Sequence, residues 1–165
     1  MQSAVITVSD RSARGEREDV SGPLLRKCLQ GMGADVVAYR VVPDEQPQIS
    51  ALLIELADDL GLDLIVTTGG TGPAPRDVTP EATRAVIERE MPGLAELLRS
   101  EGSKHTPFAV LSRGRAGIRG RTLIVNLPGS PKAVEESWQI LAPLLPVTVG
   151  LIRGEAAGDG ICHPA

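Results

Sequence analysis

The chain has 165 residues, 42% hydrophobic and 23% charged, a balance that suits one soluble domain with a sizeable core. Its 17 basic and 21 acidic residues leave a net charge of −4, and one Phe, one Trp and one Tyr offer almost no stacking surface, which argues against general nucleic-acid binding. No stretch approaches the ~20 apolar residues of a membrane span.

MQSAVITVSDRS reaches charge too early for a signal peptide, and Cys28 and Cys162 make no disulfide framework, so a cytoplasmic protein is expected. AVITV (4–8) reads as a short buried strand, followed by a polar loop, RSARGERED. Leu24, Leu25, Cys28, Leu29 and Met32 then share one helical face, and Gly31 and Gly33 end that helix. ADVVAYRVV (34–42) is the second strand. Ile49, Leu52, Leu53, Leu56, Ala57 and Leu60 form an unbroken helical stripe that stops at Gly61. LDLIVTT (62–68) is the third strand. Thr79-Pro80 reads as an N-cap with proline at the first helical position, opening a helix that runs to about Glu90. Met91-Pro92-Gly93 breaks it before a further helix bearing Leu94, Leu97 and Leu98. A short strand is predicted over Phe108 to Leu111, and a basic, glycine-rich loop over 112–121. TLIVNL (122–127) is a buried strand, and Ser130-Pro131 opens a helix lined by Val134, Trp138, Leu141 and Ala142 and limited by Pro143 and Pro146. Residues 1–154 read as a single domain and 155–165 as a mobile tail.

Strands that alternate with helices and are apolar throughout predict an α/β fold: three layers, α/β/α, around a mostly parallel sheet with helices on both faces. In such sheets ligands bind beyond the carboxyl ends of the strands. The chemistry-bearing clusters fall there: Ser9-Asp10-Arg11, Pro43-Asp44-Glu45, Gly69-Gly70-Thr71-Gly72 and Leu127-Pro128-Gly129-Ser130.

The TGGTG run lets backbone amides turn toward a ligand and form an anion nest, although a tight turn after a strand explains such a run equally well. Asp77 and Asp44 are each as readily turn residues as ligands. A carboxylate beside a phosphate nest is repelled unless a divalent cation intervenes, and Mg²⁺ is held by one or two carboxylates plus substrate phosphates. Together they favour a metal-phosphate site. The helix after Ser130 presents free amides to an anion, and Lys132 in its first turn is either an anion contact or a solvated surface lysine. Arg113, Arg115, Arg119 and Arg121 form either a solvated basic loop or a clamp for a phosphorylated substrate; the solvated reading is favoured. His105 and the Cys162-His163 pair lack the spacing of a metal site, and no nucleophile elbow is present. These residues suggest a nucleotide-using transferase or a phosphate-ligand binding module.

TGGTGPAPRDVTPEAT, with PDE before it and NLPGSPKAV after it, resembles the MogA/MoaB family of molybdenum cofactor biosynthesis, which includes the gephyrin G domain. The likeness runs from VSDR (8–11) through the helix after LPGSPKAV. It is nearest the molybdopterin adenylyltransferase branch, and implies transfer of AMP from Mg-ATP to the terminal phosphate of molybdopterin with release of pyrophosphate. On that resemblance Asp44 and Asp77 are the catalytic, Mg²⁺-associated carboxylates. The glycine loop, Gly69, Gly70, Thr71 and Gly72, is the nucleotide-phosphate cradle, and Ser112 is a serine near the pterin substrate; the residue reading adds Ser130 as a phosphate contact and Lys132 as a substrate contact. The resemblance also implies a homotrimer and a molybdenum-insertion protein of the same pathway as a partner. The alternatives are a MoaB-type paralogue that binds pterin or nucleotide with little catalysis, and a scaffold, for which no long linker or second domain is evident.

Overall fold

The computed structural model describes residues 1–155. The first half of the chain gives β1 (Gln2–Val8), α1 (Asp10–Ala13), α2 (Ser21–Gly31), β2 (Asp35–Val42), α3 (Gln46–Ile54), a π-helical turn (Glu55–Asp59) and β3 (Leu64–Thr68). There follow α4 (Thr79–Val86), β4 (Arg89–Glu90), α5 (Pro92–Ser103), a 3₁₀ turn (Pro107–Leu111), β5 (Ala116–Arg119), β6 (Thr122–Leu127), α6 (Pro131–Leu141) and α7 (Leu145–Arg153). The strands form one sheet in the order β2-β1-β3-β6-β5-β4. The first four are parallel, and β5 runs antiparallel to both β6 and β4. The mostly parallel sheet expected from the sequence is present.

Side-chain alternation sorts the sheet into two cores. Val5, Leu64, Val66, Leu123 and Val125 meet Leu25 and Leu29 of α2, Val134 and Leu141 of α6, and Leu145 and Val149 of α7. Ala4, Ile6, Ile65 and Ile124 point the other way, onto Ile49 and Leu53 of α3, Leu56 and Ala57 of the π turn, and Ala82 and Val86 of α4. Helices therefore cover both faces, which is why the central strands are apolar at consecutive positions rather than at alternate ones. Leu64, Ile65, Leu123 and Ile124 are fully buried, each contributing about 1.5–3 kcal/mol of transfer free energy.

Several elements differ from their sequence expectations. The helix predicted to reach Glu90 stops at Val86, because Ile87 turns extended (φ −72°, ψ 143°) and the next residues pair with β5: Glu88 N donates to Ile118 O (2.8 Å) and Met91 N to Ala116 O (2.9 Å). The 112–121 segment is accordingly part loop and part strand, β5, paired with both β4 and β6. Phe108 to Leu111 is a 3₁₀ turn rather than a strand, with Thr106 Oγ1 accepting from Phe108 N and Pro107 in its first turn. The stripe from Ile49 to Leu60 is broken by the π turn, whose extra residue per turn rotates the face, so that Leu60 is 50% exposed. The polar segment after β1 contains the four-residue α1, capped by Ser9, whose hydroxyl accepts from Ser12 N. Thr79 is the first helical residue of α4 and Val78 holds the cap position. Ser130 caps α6 as expected, accepting from Ala133 N at 3.2 Å. Pro146 lies in the first turn of α7 and starts a helix that the sequence reading did not foresee. Of the tail expected at 155–165, Glu155 pairs with Arg153 (2.9 Å), and the rest, Cys162 and His163 included, lies outside the described residues.

Candidate active site

The chain leaves β1 toward β2 on one side and β3 toward β6 on the other, so the crevice between the ends of β1 and β3 is the switch point of the sheet. All four predicted clusters lie at that edge. Gly69 follows β3 there with φ +98°, and a Cβ on it would collide with the Val8 carbonyl at the end of β1. Gly129, after β6, packs on its other side: a Cβ there would stand 3.1 Å from Gly69 Cα. Glycine is required because three backbones converge with no room between them.

Gly70 is also left-handed (φ +62°). The carbonyls of Gly69 and Gly70 are tied back to α4, the first by Thr79 Oγ1 (2.9 Å) and the second by Thr79 N (3.1 Å). Thr79 thus shapes the loop rather than capping the helix. The Gly69 amide is spent on Leu127 O (3.1 Å), whereas those of Gly70, Thr71 and Gly72 have no acceptor among the described residues. Three consecutive amides without an acceptor are the donors an anion nest requires. Ser130 and the start of α6 lie beside it, held by Ser21, whose hydroxyl donates to Gly129 O at 2.7 Å.

Asp44 and Asp77 flank this loop. Asp44 Oδ2 accepts from Asp10 N (2.8 Å), and Asp77 Oδ2 accepts from Ala74 N (3.0 Å). The other oxygen of each has no donor among the described residues, and Asp44 Oδ1 faces Gly70, 2.9 Å from where a Cβ there would sit. Burial pushes the Asp44 carboxyl above its ordinary value, the charges of Asp10 and Asp77 add to that, and the Asp10 amide opposes it. Two acids with one open oxygen each, crowded enough to raise one of them, fit a divalent cation and the phosphates that accompany it.

Two cavities meet at Gly70, Asp77 and Gly129. The larger, about 490 Å³, lies between the glycine loop, α5 and the 3₁₀ turn, walled by Leu98, Phe108, Leu111 and Ser112. The smaller, about 310 Å³, is polar and reaches Thr7, Ser9, Arg17, Asp19, Ser21 and Asp44. Ser112 Oγ accepts from Gly114 N (3.3 Å) at the wall of the larger one. Lys132 lines neither; its side chain is 84% exposed and faces Glu136 at 3.8 Å. Three of the four arginines, Arg113, Arg115 and Arg119, are engaged with protein acceptors rather than left to solvent, whereas Arg121 is exposed. Arg115 pairs with Glu90 and Arg119 with Asp58. Arg113 staples the glycine loop: its backbone amide reaches Thr71 O (2.8 Å), its Nε Gly72 O (2.8 Å), and its remaining guanidinium nitrogens Asp77 O and Glu81.

Sequence reasoning missed Asp19, whose carboxylate accepts from Gly22 N (3.0 Å) and from the Tyr39 hydroxyl. Burial, and then Asp19, push that phenol up to about 12, so it stays a donor. It also missed buried Asn126, whose Nδ2 donates to Thr67 Oγ1 (3.0 Å) and Thr83 Oγ1 (2.9 Å) while Oδ1 accepts from Arg115 N (3.1 Å). An asparagine inside an apolar strand was the available signal.

Comparison with known proteins is consistent with this geometry. The family model described as "Probable molybdopterin binding domain" matches residues 4–147. The molybdopterin adenylyltransferase of Helicobacter pylori (strain J99) is 44% identical over 152 residues, covering 91% of this chain and 86% of its own. That of Escherichia coli (strain K12) is 43% identical over 137 residues, covering 82% and 70%. The crystal structure of the molybdopterin biosynthesis enzyme MoaB from Thermus thermophilus superposes with a TM-score of 0.88 at 54% identity, covering 93% of this chain and 96% of that one.

Proposed function

The chain belongs to the probable molybdopterin binding domain family, and from that premise we propose that it is a molybdopterin adenylyltransferase of molybdenum cofactor biosynthesis. The reading is carried by one observation: two carboxylates with open oxygens stand beside three free loop amides where two cavities meet. ATP and molybdopterin are the substrates, with the pterin in the larger cavity against Ser112 and the nucleotide phosphates at the junction.

A phosphate oxygen of molybdopterin attacks the α-phosphorus of ATP; the new P–O bond forms as the bond to the bridging oxygen breaks, and pyrophosphate leaves. The attacking phosphate is already ionised, so no general base is needed. The amides of Gly70, Thr71 and Gly72, with the N-terminal end of α6 at Ser130, hold the phosphate oxygens and stabilise charge without reorganising. Asp44 and Asp77 would hold Mg²⁺ through their open oxygens. When bound, the cation neutralises charge shared by the α- and leaving phosphates. Arg113 keeps the loop in place. We assign Lys132 no contact, given its exposure. A cytoplasmic homotrimer that hands its product to a molybdenum-insertion protein completes the proposal; no helix among the described residues is long and apolar enough to cross a membrane.

Incubation with Mg-ATP and molybdopterin, followed by mass spectrometry, should reveal an AMP adduct and free pyrophosphate. Asp77→Ala should abolish both. No adduct from the wild-type chain overturns the enzymatic reading and leaves a MoaB-type binding protein.

A further inference from the structure

Asp44 and Asp77 sit on separate segments, one at the end of β2 and the other in the loop that leads from Gly72 to α4. That loop has little packing of its own: Pro73, Ala74, Pro75 and Arg76 are all exposed. Two acids of like charge, one on an exposed loop, drift apart unless something ties the segments together. Arg113 holds both ends of the loop, at Gly72 O and Asp77 O. The link toward the Asp44 segment is made by Arg76, the residue before Asp77.

Arg76 makes a bidentate pair with Asp10, Nε to Oδ2 and Nη2 to Oδ1, each at 3.0 Å. Nη2 also reaches Glu45 Oε1 at 2.8 Å, beside Asp44. Asp10 in turn is locked to Asp44 in both directions: its amide donates to Asp44 Oδ2 (2.8 Å), and its Oδ1 accepts from Asp44 N (3.1 Å). The path from the Asp77 loop to the Asp44 carboxylate is therefore continuous, and each link is a directed hydrogen bond. Such exposed pairs add little to global stability, so the arrangement is better matched to holding a geometry than to holding the fold.

We propose that Arg76 and Asp10 form a positioning pair that sets the spacing of Asp77 and Asp44, and with it the affinity of the site for a divalent cation. The proposal rests on the adenylyltransferase reading for its purpose, though not for its test. Neither residue touches the reacting atoms; both act through the carboxylates. An arginine that instead bound phosphate directly would act without Asp10.

The test uses Arg76→Ala, Arg76→Lys, Asp10→Asn and the double variant Asp10→Asn/Arg76→Ala. Asparagine at position 10 keeps its backbone amide and an oxygen for Asp44 N, but puts an NH2 group where Oδ2 accepted from Arg76 Nε, so both the charge and the bidentate grip on Arg76 are lost. Binding of ATP is titrated by calorimetry at increasing Mg²⁺, adenylyl transfer is followed in parallel, and amide hydrogen exchange is read across residues 73–78. Each single alanine or asparagine variant should raise the half-saturating Mg²⁺ about 10-fold, in line with residues that orient metal ligands. The KM for molybdopterin and the thermal midpoint should stay near wild type, and exchange across 73–78 should quicken. Lysine should restore part of the loss. The double variant should be no worse than the singles, because the two residues work as one unit. Unchanged Mg²⁺ dependence with unchanged exchange overturns the proposal, as do losses that multiply in the double variant. Failure of the wild-type chain to transfer AMP strikes the functional reading alone, since the binding and exchange measurements need no turnover.

Discussion

Asp44 binds its proton more tightly in the fold than in the unfolded chain, because burial and the neighbouring acids disfavour its charge. A raised pKa of this kind contributes stability that is complete below the unfolded value of 3.8 and is lost as pH rises through the higher folded value. Ionised Asp44 therefore carries a cost at neutral pH. Asp44→Asn should melt higher than wild type at neutral pH, lose that advantage well below pH 3.8, and form no AMP adduct. Thermal unfolding over a pH series checks the first two, and equal or lower melting at neutral pH counts against the crowding described here. Asp10 is shifted the opposite way, held low mainly by Arg76, so its contribution is present at neutral pH and fades on acidification. At this scale the sequence was informative about Asp44, Asp77 and the glycines. It was silent on Asp19 and on the stapling role of Arg113, whose partners are 32 or more positions away in the chain or on another loop.

Elements were legible where one pattern dominated. The buried strands and α2 were read correctly, because a parallel strand covered on both faces is a plain apolar run and α2 carries a helical stripe. The errors have two sources: a tertiary partner at Ile87 to Glu90, which leaves a helical sequence to meet β5, and local capping at Thr106 with Pro107, which turns an apolar run into 3₁₀ geometry. The Asn126 network is the clearest cross-element device. It joins β6, β3, α4 and the start of β5 beneath the glycine loop. Asn126→Leu leaves the Thr67 and Thr83 hydroxyls and the Arg115 amide without their partner, and should cost roughly 1–3 kcal/mol per stranded buried group. Urea unfolding measures that loss, and nucleotide binding should weaken with it. A change below about 0.5 kcal/mol would mean that water or relaxation satisfies those groups.

For the whole molecule, Phe108 (73% exposed) and Leu111 (50%) line the larger cavity, and Val110 (60%) beside them extends the exposed apolar surface. Sedimentation equilibrium should return three times the chain mass of 17.3 kDa. A single chain mass at micromolar concentration would remove the trimer from the proposal. The topology itself explains why a site can form here: β1, β2, β3 and β6 run the same way, so residues up to 120 positions apart in sequence arrive at one rim. The four clusters come from just past strand ends, where the chain is free of ladder bonds and can turn its amides outward, while α5 and the 3₁₀ turn wall the larger cavity.

By itself the sequence determined the layering of the fold, the sheet edge shared by its four polar clusters and the family, since apolar periodicity and a specific motif are local properties of the chain. Only the tertiary structure decided which oxygens of Asp44 and Asp77 remain open, that Arg113, Arg115 and Arg119 pair with acidic side chains, and that Asp10 and Arg76 bridge two segments. Those facts depend on distances between residues remote in sequence, and hydrogen bonds are short and directional. No reading of spacing along the chain contains them.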